Sequence, residues 1–347
     1  NQAGCVPVAR IPVVDDKLRL AVIGVGRMGA FHARTLAKSG CVEVVAVADT
    51  SADSARTLAA ELDVDAFTSP EALLGDDRIE AWVIATPTLN HPAMVTMALD
   101  AGLHVLCEKP LALDHEVSLE LEHRASAAGR LLQIGFWRRF APPWARAKEL
   151  IDAGAIGRPL MVRLSQWDAD PPPASFCDPA ASGGLAIDCG VHEYDLAEWL
   201  TGLRIERVTA RNLPLVDSTI GEVGDVDNLV AILDLSGGAV ATIDLSRNCR
   251  YGDDVRTEIL GDAGALFVDL LPTGRTRLAT AAGIETVAGS ESDDAFDAGV
   301  LAQADAFAGV VRGRNTDVPA ASARTRAVAG GRAVQKAANG GPVGLER

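Results

Sequence analysis

Three short stretches of this chain hold side chains able to move a proton or grip an oxygen. The first is Cys107-Glu108-Lys109-Pro110, at the end of an apolar run. A lysine there can hydrogen-bond a substrate oxygen, or help move its proton if it is partly buried. The same residue also reads as a surface lysine before a turn proline. The second is Asp188-Cys189-Gly190-Val191-His192-Glu193-Tyr194-Asp195. On a helix, Asp188, His192 and Asp195 share one face. A histidine among carboxylates can serve as a base, because they stabilise its charged form. A plain salt-bridge stripe has the same spacing. No second histidine stands at metal-ligand spacing from His192, so no metal site is expected. The third is Tyr251-Gly252-Asp253-Asp254, with Arg247 just before it. By itself this reads as a hairpin turn.

A fourth stretch binds rather than reacts. An apolar run over 18–23 leads into Gly24-Val25-Gly26-Arg27-Met28-Gly29 and then a helical pattern. Gly24 permits the tight turn, Gly26 lets a pyrophosphate approach the backbone, and Gly29 lets the helix pack close to the strand. The helix start offers free N–H groups and a partial positive charge to phosphate. Asp49 follows the next strand-like run, twenty residues after Gly29. An acid there can accept hydrogen bonds from the ribose hydroxyls of NAD and would repel the 2′-phosphate of NADP.

The elements that must position these residues alternate at first. Strand signals over 18–23, 42–48, 66–68, 81–85, 104–107 and 131–136 are separated by helix signals over 51–62, 92–101 and 114–128. That rhythm predicts a doubly wound parallel Rossmann sheet over residues 1–136. Lys109 then falls at the carboxyl end of a strand, where ligands of such sheets bind. Beyond Phe136 come helices over 143–153 and 185–200, a proline-rich loop over 168–182, and strand-like runs over 160–167, 205–213, 228–234, 239–246, 256–260 and 265–268. Helices over 296–311 and 324–338 close the chain. Residues 137–347 therefore read as an α+β domain with a mainly antiparallel open sheet, for substrate binding.

Composition narrows the partners. The 347 residues carry 32 Lys and Arg against 47 Asp and Glu, a net charge of −15. Such a surface repels nucleic acid and anionic membrane, so neither is expected as a partner. The six cysteines are scattered with no C-x-x-C pair, which fits reduced thiols in a cytoplasm. No signal peptide is read over 1–17, and no stretch is apolar enough to span a membrane.

Taken together the motifs resemble the glucose–fructose oxidoreductase / inositol dehydrogenase / MocA (Gfo/Idh/MocA) family. The resemblance rests on Gly24–Gly29, Ala85-Thr86-Pro87-Thr88-Leu89-Asn90-His91, Glu108-Lys109-Pro110, Gly135-Phe136-Trp137-Arg138-Arg139-Phe140 and the run from Gly183 to Asp195. Asp227-Asn228 and the run from Ser246 to Arg256 look most like myo-inositol 2-dehydrogenases. Ala141 and Val300 depart from the family's usual residues and bear on which polyol is used.

The resemblance implies a catalytic Lys109, an acid/base His192 and Asp188 as its partner. Lys109, Arg138, Asp188, His192 and Tyr251 would meet the substrate. NAD would lie along Gly24, Gly26, Arg27, Met28, Gly29 and Asp49, with Thr86, Pro87, Asn90, His91, Glu108 and Lys109 on its nicotinamide side. The expected activity is NAD-dependent oxidation of a secondary hydroxyl of a cyclic polyol or sugar. Relatives that are sugar dehydrogenases, NAD-using lyases or glycosidases, or dinucleotide-sensing regulators supply the alternatives. A homo-oligomer, dimer or tetramer, is expected through the sheet of the second domain.

Overall fold

A computed structural model describes residues 17–169, 171–213, 215–269, 275–289, 295–314 and 322–345. Its first half alternates strand and helix: β1 (Leu18–Ile23), α1 (Arg27–Leu36), β2 (Val42–Ala48), α2 (Ala52–Leu62), β3 (Asp65–Phe67), β4 (Ala81–Ile84), α3 (His91–Asp100), β5 (His104–Cys107), α4 (His115–Ala127) and β6 (Leu132–Ile134). The six strands pair in the order β3-β2-β1-β4-β5-β6, all parallel. Every residue of β4 is buried, as a central strand covered on both faces requires. Ser51 caps α2 by accepting the Ser54 N–H, and Asp114 caps α4 by accepting those of Glu116 and Val117. The strand order reverses between β1 and β4. A crevice therefore opens beyond their carboxyl ends, where the loops after β1, β2, β4, β5 and β6 converge.

The second half begins with α5 (Pro142–Asp152) and β7 (Pro159–Trp167). The short helices α6 (Ala174–Cys177), α7 (Pro179–Ser182) and α8 (Gly184–Asp188) lead to α9 (Val191–Thr201). Then come β8 (Ile205–Asn212), α10 (Ser218–Glu222), β9 (Asn228–Leu235), β10 (Val240–Ser246), β11 (Asp254–Gly261), β12 (Ala265–Asp269), β13 (Arg275–Thr280) and β14 (Gly283–Gly289). Two long helices, α11 (Ala295–Val311) and α12 (Ser322–Gly340), precede β15 (Val343–Gly344). The strands form one sheet in the order β14-β13-β12-β11-β7-β10-β9-β8-β15, antiparallel except for the β7–β10 pair. Residues alternate strictly along β9 and β10. Leu229, Ala231, Leu233, Ala241, Ile243 and Leu245 are buried, whereas Val230 and Ile232 on the other face are exposed. One face thus carries the core and the other lies open.

The structure departs from the sequence reading in several places: the proline-rich loop over 168–182 holds the short helices α6 and α7, and α10 and β15 carry no sequence signal. The single helix expected over 185–200 is two helices, α8 and α9, hinged at Cys189-Gly190. Tyr194 folds back over the hinge and donates its hydroxyl to the Ala186 carbonyl at 2.9 Å. A Cβ on Gly190 would stand 2.4 Å from that hydroxyl, so glycine is required there. The strands β13 and β14 were not anticipated at all.

The helix α11 straps the second half to the first. Phe296 stacks on Phe31 with ring centroids 4.4 Å apart and meets Trp137 edge-on. Ala304, Phe307 and Ala308 sit in the same apolar cluster as β1 and β2. Ser39 donates to Asp305 at 2.6 Å, and Gln303 donates to the Ile134 carbonyl at 3.0 Å. The loops over the first sheet's carboxyl edge are thereby held against the start of the second domain.

Candidate active site

The glycine turn after β1 is built by close backbone approach. Gly24 has φ +85°, and a Cβ there would lie 2.9 Å from the Ala85 backbone. A Cβ on Gly29 would come within 1.7 Å of the Gly24 carbonyl oxygen. Gly26 is exposed, and a Cβ there would meet nothing within 4 Å. Among the described residues no side-chain hydrogen bond caps the start of α1, which leaves its first N–H groups without a side-chain acceptor. Arg27 is exposed and Met28 half-buried. Asp49 accepts the Val25 N–H at 2.7 Å and the Ser51 N–H at 2.8 Å. Its carboxylate therefore braces the turn as well as facing it.

The loops after β4 and β5 meet beside this turn. Thr86, Pro87 and Asn90 follow β4, the Thr86 backbone N stands 2.9 Å from where a Cβ on Gly24 would lie, and the Thr86 hydroxyl is buried with no partner among the described residues. His91 is buried with its ring nitrogens 2.8 Å from the Pro110 carbonyl and 2.9 Å from the Thr86 carbonyl, which ties the two loops together. Burial holds its imidazole below the ordinary histidine value. Glu108 bonds His32 of α1 at 2.6 Å. Burial pushes the Glu108 carboxyl up, but His32 and Lys109 outweigh it and leave it below the usual range. His32, given no role by sequence reasoning, thus locks the helix of the glycine turn to the loop of Lys109. Its position one turn inside α1 carried no motif signal.

Lys109 reaches across to the second domain. Its Nζ donates to the Asp188 carbonyl oxygen at 2.7 Å and to Asp188 Oδ1 at 3.3 Å. Burial works against the ammonium, yet Asp188 and Glu108 raise it above the ordinary lysine value. Lys109 is therefore a cation with a proton to offer, not a base at neutral pH. Asp188 was expected to partner His192. It partners Lys109 instead, and its Oδ2 lies 3.6 Å from Arg247. The hinge at Cys189-Gly190 is the reason, since it takes Asp188 and His192 off a common helix. Asp195 stays on α9 with His192, and it pairs with Arg139 through both oxygens.

His192 stands at the first turn of α9, packed edge-on against Phe136 (centroids 5.9 Å) and Trp137 (6.3 Å). Among the described residues its buried Nδ1 has no partner, and no hydrogen bond engages its Nε2. Burial, together with Arg138 and Lys109, holds the imidazole well below the ordinary histidine value. It is neutral where Lys109 is charged. The structure thus brings together Lys109, Asp188 and His192, with opposite protonation states on the two basic groups.

Arg138 is buried beneath them. It donates to Glu193 and, at 2.8 Å, to Gln166 Oε1. Burial pushes the Glu193 carboxyl up to about 7 despite Arg138. Gln166 passes its own N–H groups to Asp168 at 3.1 and 3.2 Å, and the Cys189 thiol donates to Asp168 at 3.4 Å. Gln166, Asp168 and Asp225 carry no signal in the sequence, and the fold brings them here from separate elements; Glu193 and Arg247 stand inside or beside the stretches singled out but receive no role from them. Tyr251 is 71% exposed and donates to Asp254 at 2.7 Å. It makes no hydrogen bond or ring contact with Lys109, Asp188 or His192. It lines a depression on the open face of the second sheet with Trp167, Asn228, Asp244 and Asn248.

The turn fits a dinucleotide. Open space over Gly26, uncapped N–H groups on α1 and an acid at the end of β2 are the features a pyrophosphate and a ribose require. Among the described residues no group of three His, Cys, Asp or Glu could hold a metal ion, and no helix is long and apolar enough to cross a membrane. The five described cysteines are unpaired thiols, and Cys5 lies outside the described residues.

Comparison with known proteins agrees with the fold. Residues 18–136 match the oxidoreductase family with an NAD-binding Rossmann fold, and residues 144–267 match the GFO/IDH/MocA C-terminal domain. The chain is 36% identical over 260 residues to scyllo-inositol 2-dehydrogenase (NAD(+)) of Bacillus subtilis, covering 74% of this chain and 75% of that one. It is 35% identical over 253 residues to myo-inositol 2-dehydrogenase of Thermotoga maritima, covering 73% and 75%. The structure superposes on scyllo-inositol dehydrogenase from Lactobacillus casei, solved with NAD(H) and scyllo-inositol, with TM-score 0.83 at 27% identity over 95% and 99% of the two chains.

Proposed function

The chain belongs to the GFO/IDH/MocA oxidoreductase family, and from that premise we propose that it oxidises a secondary hydroxyl of a cyclic polyol, an inositol first of all, with NAD. NAD, when bound, supplies the hydride acceptor. Gly24, Gly26, Gly29 and the α1 N–H groups would hold its pyrophosphate, Asp49 its ribose, and the loops of Thr86, Asn90 and Glu108 its nicotinamide end. The rest of the chemistry belongs to the chain's own side chains.

The observation that supports the reading is the setting of two basic groups, Lys109 bonded to Asp188 and His192 buried against Phe136 and Trp137 with its Nδ1 unbonded. Lys109 is a cation fixed by Asp188. His192 is neutral, with no hydrogen bond on its Nε2. A hydroxyl placed between them would be held at its oxygen by a Lys109 N–H and would give its proton to His192. Negative charge developing on the oxygen would meet the ammonium. Arg138 sits too deep for direct contact unless Glu193 releases it, so its part is to support the floor beneath His192.

The test is NAD⁺ reduction over inositol isomers, aldoses and sugar acids. Turnover of inositols with accumulating NADH is expected. Activity confined to aliphatic alcohols or 2-hydroxy acids would remove the polyol reading. Turnover without net NADH would point to a lyase or glycosidase that oxidises only transiently. The open face of the second sheet, with Val230, Ile232 and Leu260 exposed, is assigned to a second copy of this chain. Sedimentation of the full chain should show a dimer or tetramer, and a monomer at micromolar concentration would rule that out.

A further inference from the structure

Arg247 is fully enclosed, and the reading above gives its charge no task. It directly follows β10, and its N–H donates to the Asp227 carbonyl at 2.9 Å. Its Nη1 donates to Asp225 Oδ2 at 2.9 Å, and its Nη2 stands 3.6 Å from Asp188 Oδ2 with no closer hydrogen bond. Asp225 accepts the Leu185 N–H at 3.2 and 2.9 Å. A Cβ on Gly184 would come 2.5 Å from Asp225 Oδ1, so this carboxylate is seated on the start of α8. Asp188 is the last residue of the same five-residue helix. One guanidinium thus addresses a carboxylate at each end of α8, a geometry a lysine cannot reproduce.

Asp188 is therefore claimed from both sides, by Lys109 at Oδ1 and by Arg247 at Oδ2. An ammonium has three N–H groups. Two of those on Lys109 are spent on the Asp188 carbonyl and Oδ1. Resting on the assignment of Lys109 to the reacting oxygen, we propose that Arg247 is a positioning residue of this reaction. It holds the second oxygen of Asp188, so the carboxylate cannot turn both oxygens onto Lys109, and the third N–H stays free for substrate. The charges run Lys109, Asp188, Arg247, Asp225 in alternating sign, and no member is left uncompensated in a buried setting.

The test uses the full chain with Arg247→Met and Arg247→Lys, each alone and combined with Asp188→Asn. One readout needs no substrate: the pH of half-maximal acetylation of Lys109 by acetic anhydride, followed by mass spectrometry. The titratable groups facing Lys109 are Asp188, Cys189, Glu108, His91 and His192, and those facing Arg247 are Asp188, Asp225, Cys177 and Cys189. In Arg247→Met, Asp188 closes fully on Lys109 and the half-labelling pH rises. Polyol kcat falls by about 10- to 100-fold, the scale of a misplaced catalytic group. The affinity for NAD is unchanged. Arg247→Lys restores the labelling pH but not the full kcat. On the Asp188→Asn background, Arg247→Met costs less than about twofold more, because the residue it acts through is already neutral.

An unmoved labelling pH, or costs that multiply in the double variant, would reduce Arg247 to a structural buttress. If Arg247→Met does not fold, Asp225→Asn carries the test with the opposite sign. The guanidinium loses its other anion and is drawn onto Asp188, and the half-labelling pH of Lys109 falls. A labelling shift in a protein that turns over no polyol would sink the polyol reading while keeping the arrangement of Arg247.

Discussion

The glycine turn after β1 and the hinge before His192 face one crevice, yet they are built in opposite ways. The turn works by what it lacks. It has no Cβ at three positions, no side-chain cap on α1 and one acid at its rim. The hinge works by crowding, with buried Arg247, Asp225, Arg138 and Glu193 and half-buried Lys109 and Asp188 paired with one another. The first is an open cradle for a charged ligand. The second fixes which groups carry protons before any substrate arrives. A change at the turn should act on cofactor affinity, and a change at the hinge on the chemical step.

The sharpest way to break that division is His192→Ala. It should cut kcat by about 10²–10⁴, the usual general acid–base contribution, with NAD affinity nearly unchanged. A variant that turns over at the wild-type rate would return His192 to a packing role and leave Lys109 as the candidate. The wild-type pH profile is a companion measurement. The imidazole is held well below 6.5 by burial, Arg138 and Lys109, so the acid limb of polyol oxidation should fall below that value. Oxidation needs the neutral form, so the rate rises with pH through that limb and is flat through neutrality. A limb above pH 6.5 would mean that a carboxylate dominates His192 after all.

Next in size is Gly29→Ala. The added Cβ would overlap the Gly24 carbonyl oxygen, so the turn must shift. Overpacking of this kind costs about 1–3 kcal/mol of stability. NAD affinity should fall far more than kcat at saturating NAD. Equal loss in both, with unchanged thermal stability, would show that turn and hinge are not separable.

The same contrast explains what could be read in the sequence. The turn is a local object: six consecutive residues, a strand before, a helix after and Asp49 at the next strand end. Each part has its own sequence signal, so the turn and the parallel sheet around it were legible. The hinge is not local. The pattern from Leu185 to Leu200 is helical throughout, and only the Tyr194 ring lying over Gly190 breaks it. The partners of Asp188 come from the end of β5 and the end of β10, 79 and 59 residues away, and strand register alone brings them together. The residues Lys109, Asp188 and His192 were therefore named from sequence, but the pairing among them was not.

A smaller effect sharpens the cofactor side. Asp49 braces Val25 and Ser51 and, in the proposed role, meets the ribose. Asp49→Ser should lower kcat/KM with NAD about tenfold, roughly the loss of a charged hydrogen bond, and narrow the gap to NADP. A wild-type enzyme that uses both cofactors equally would place Asp49 away from the ribose.

The smallest expected effect belongs to Tyr251, where resemblance and structure point different ways. The resemblance sets this tyrosine beside the substrate. In the structure its ring is on the open face of the second sheet, 71% exposed, and its hydroxyl is taken by Asp254. An exposed hydroxyl bonded to a carboxylate contributes little to stability, because water replaces it readily. Tyr251→Phe should therefore change kcat and KM by less than about twofold if each chain completes its own site. A large rise in KM, with thermal stability and NAD affinity unchanged, would require Tyr251 to reach substrate from outside its own crevice. The open face that carries Tyr251 is the one assigned to a second copy. Mixing Tyr251→Phe subunits with His192→Ala subunits would then separate the cases. Full activity of a hybrid site, made from the intact His192 of one chain and the intact Tyr251 of the other, appears only if the tyrosine works across that face.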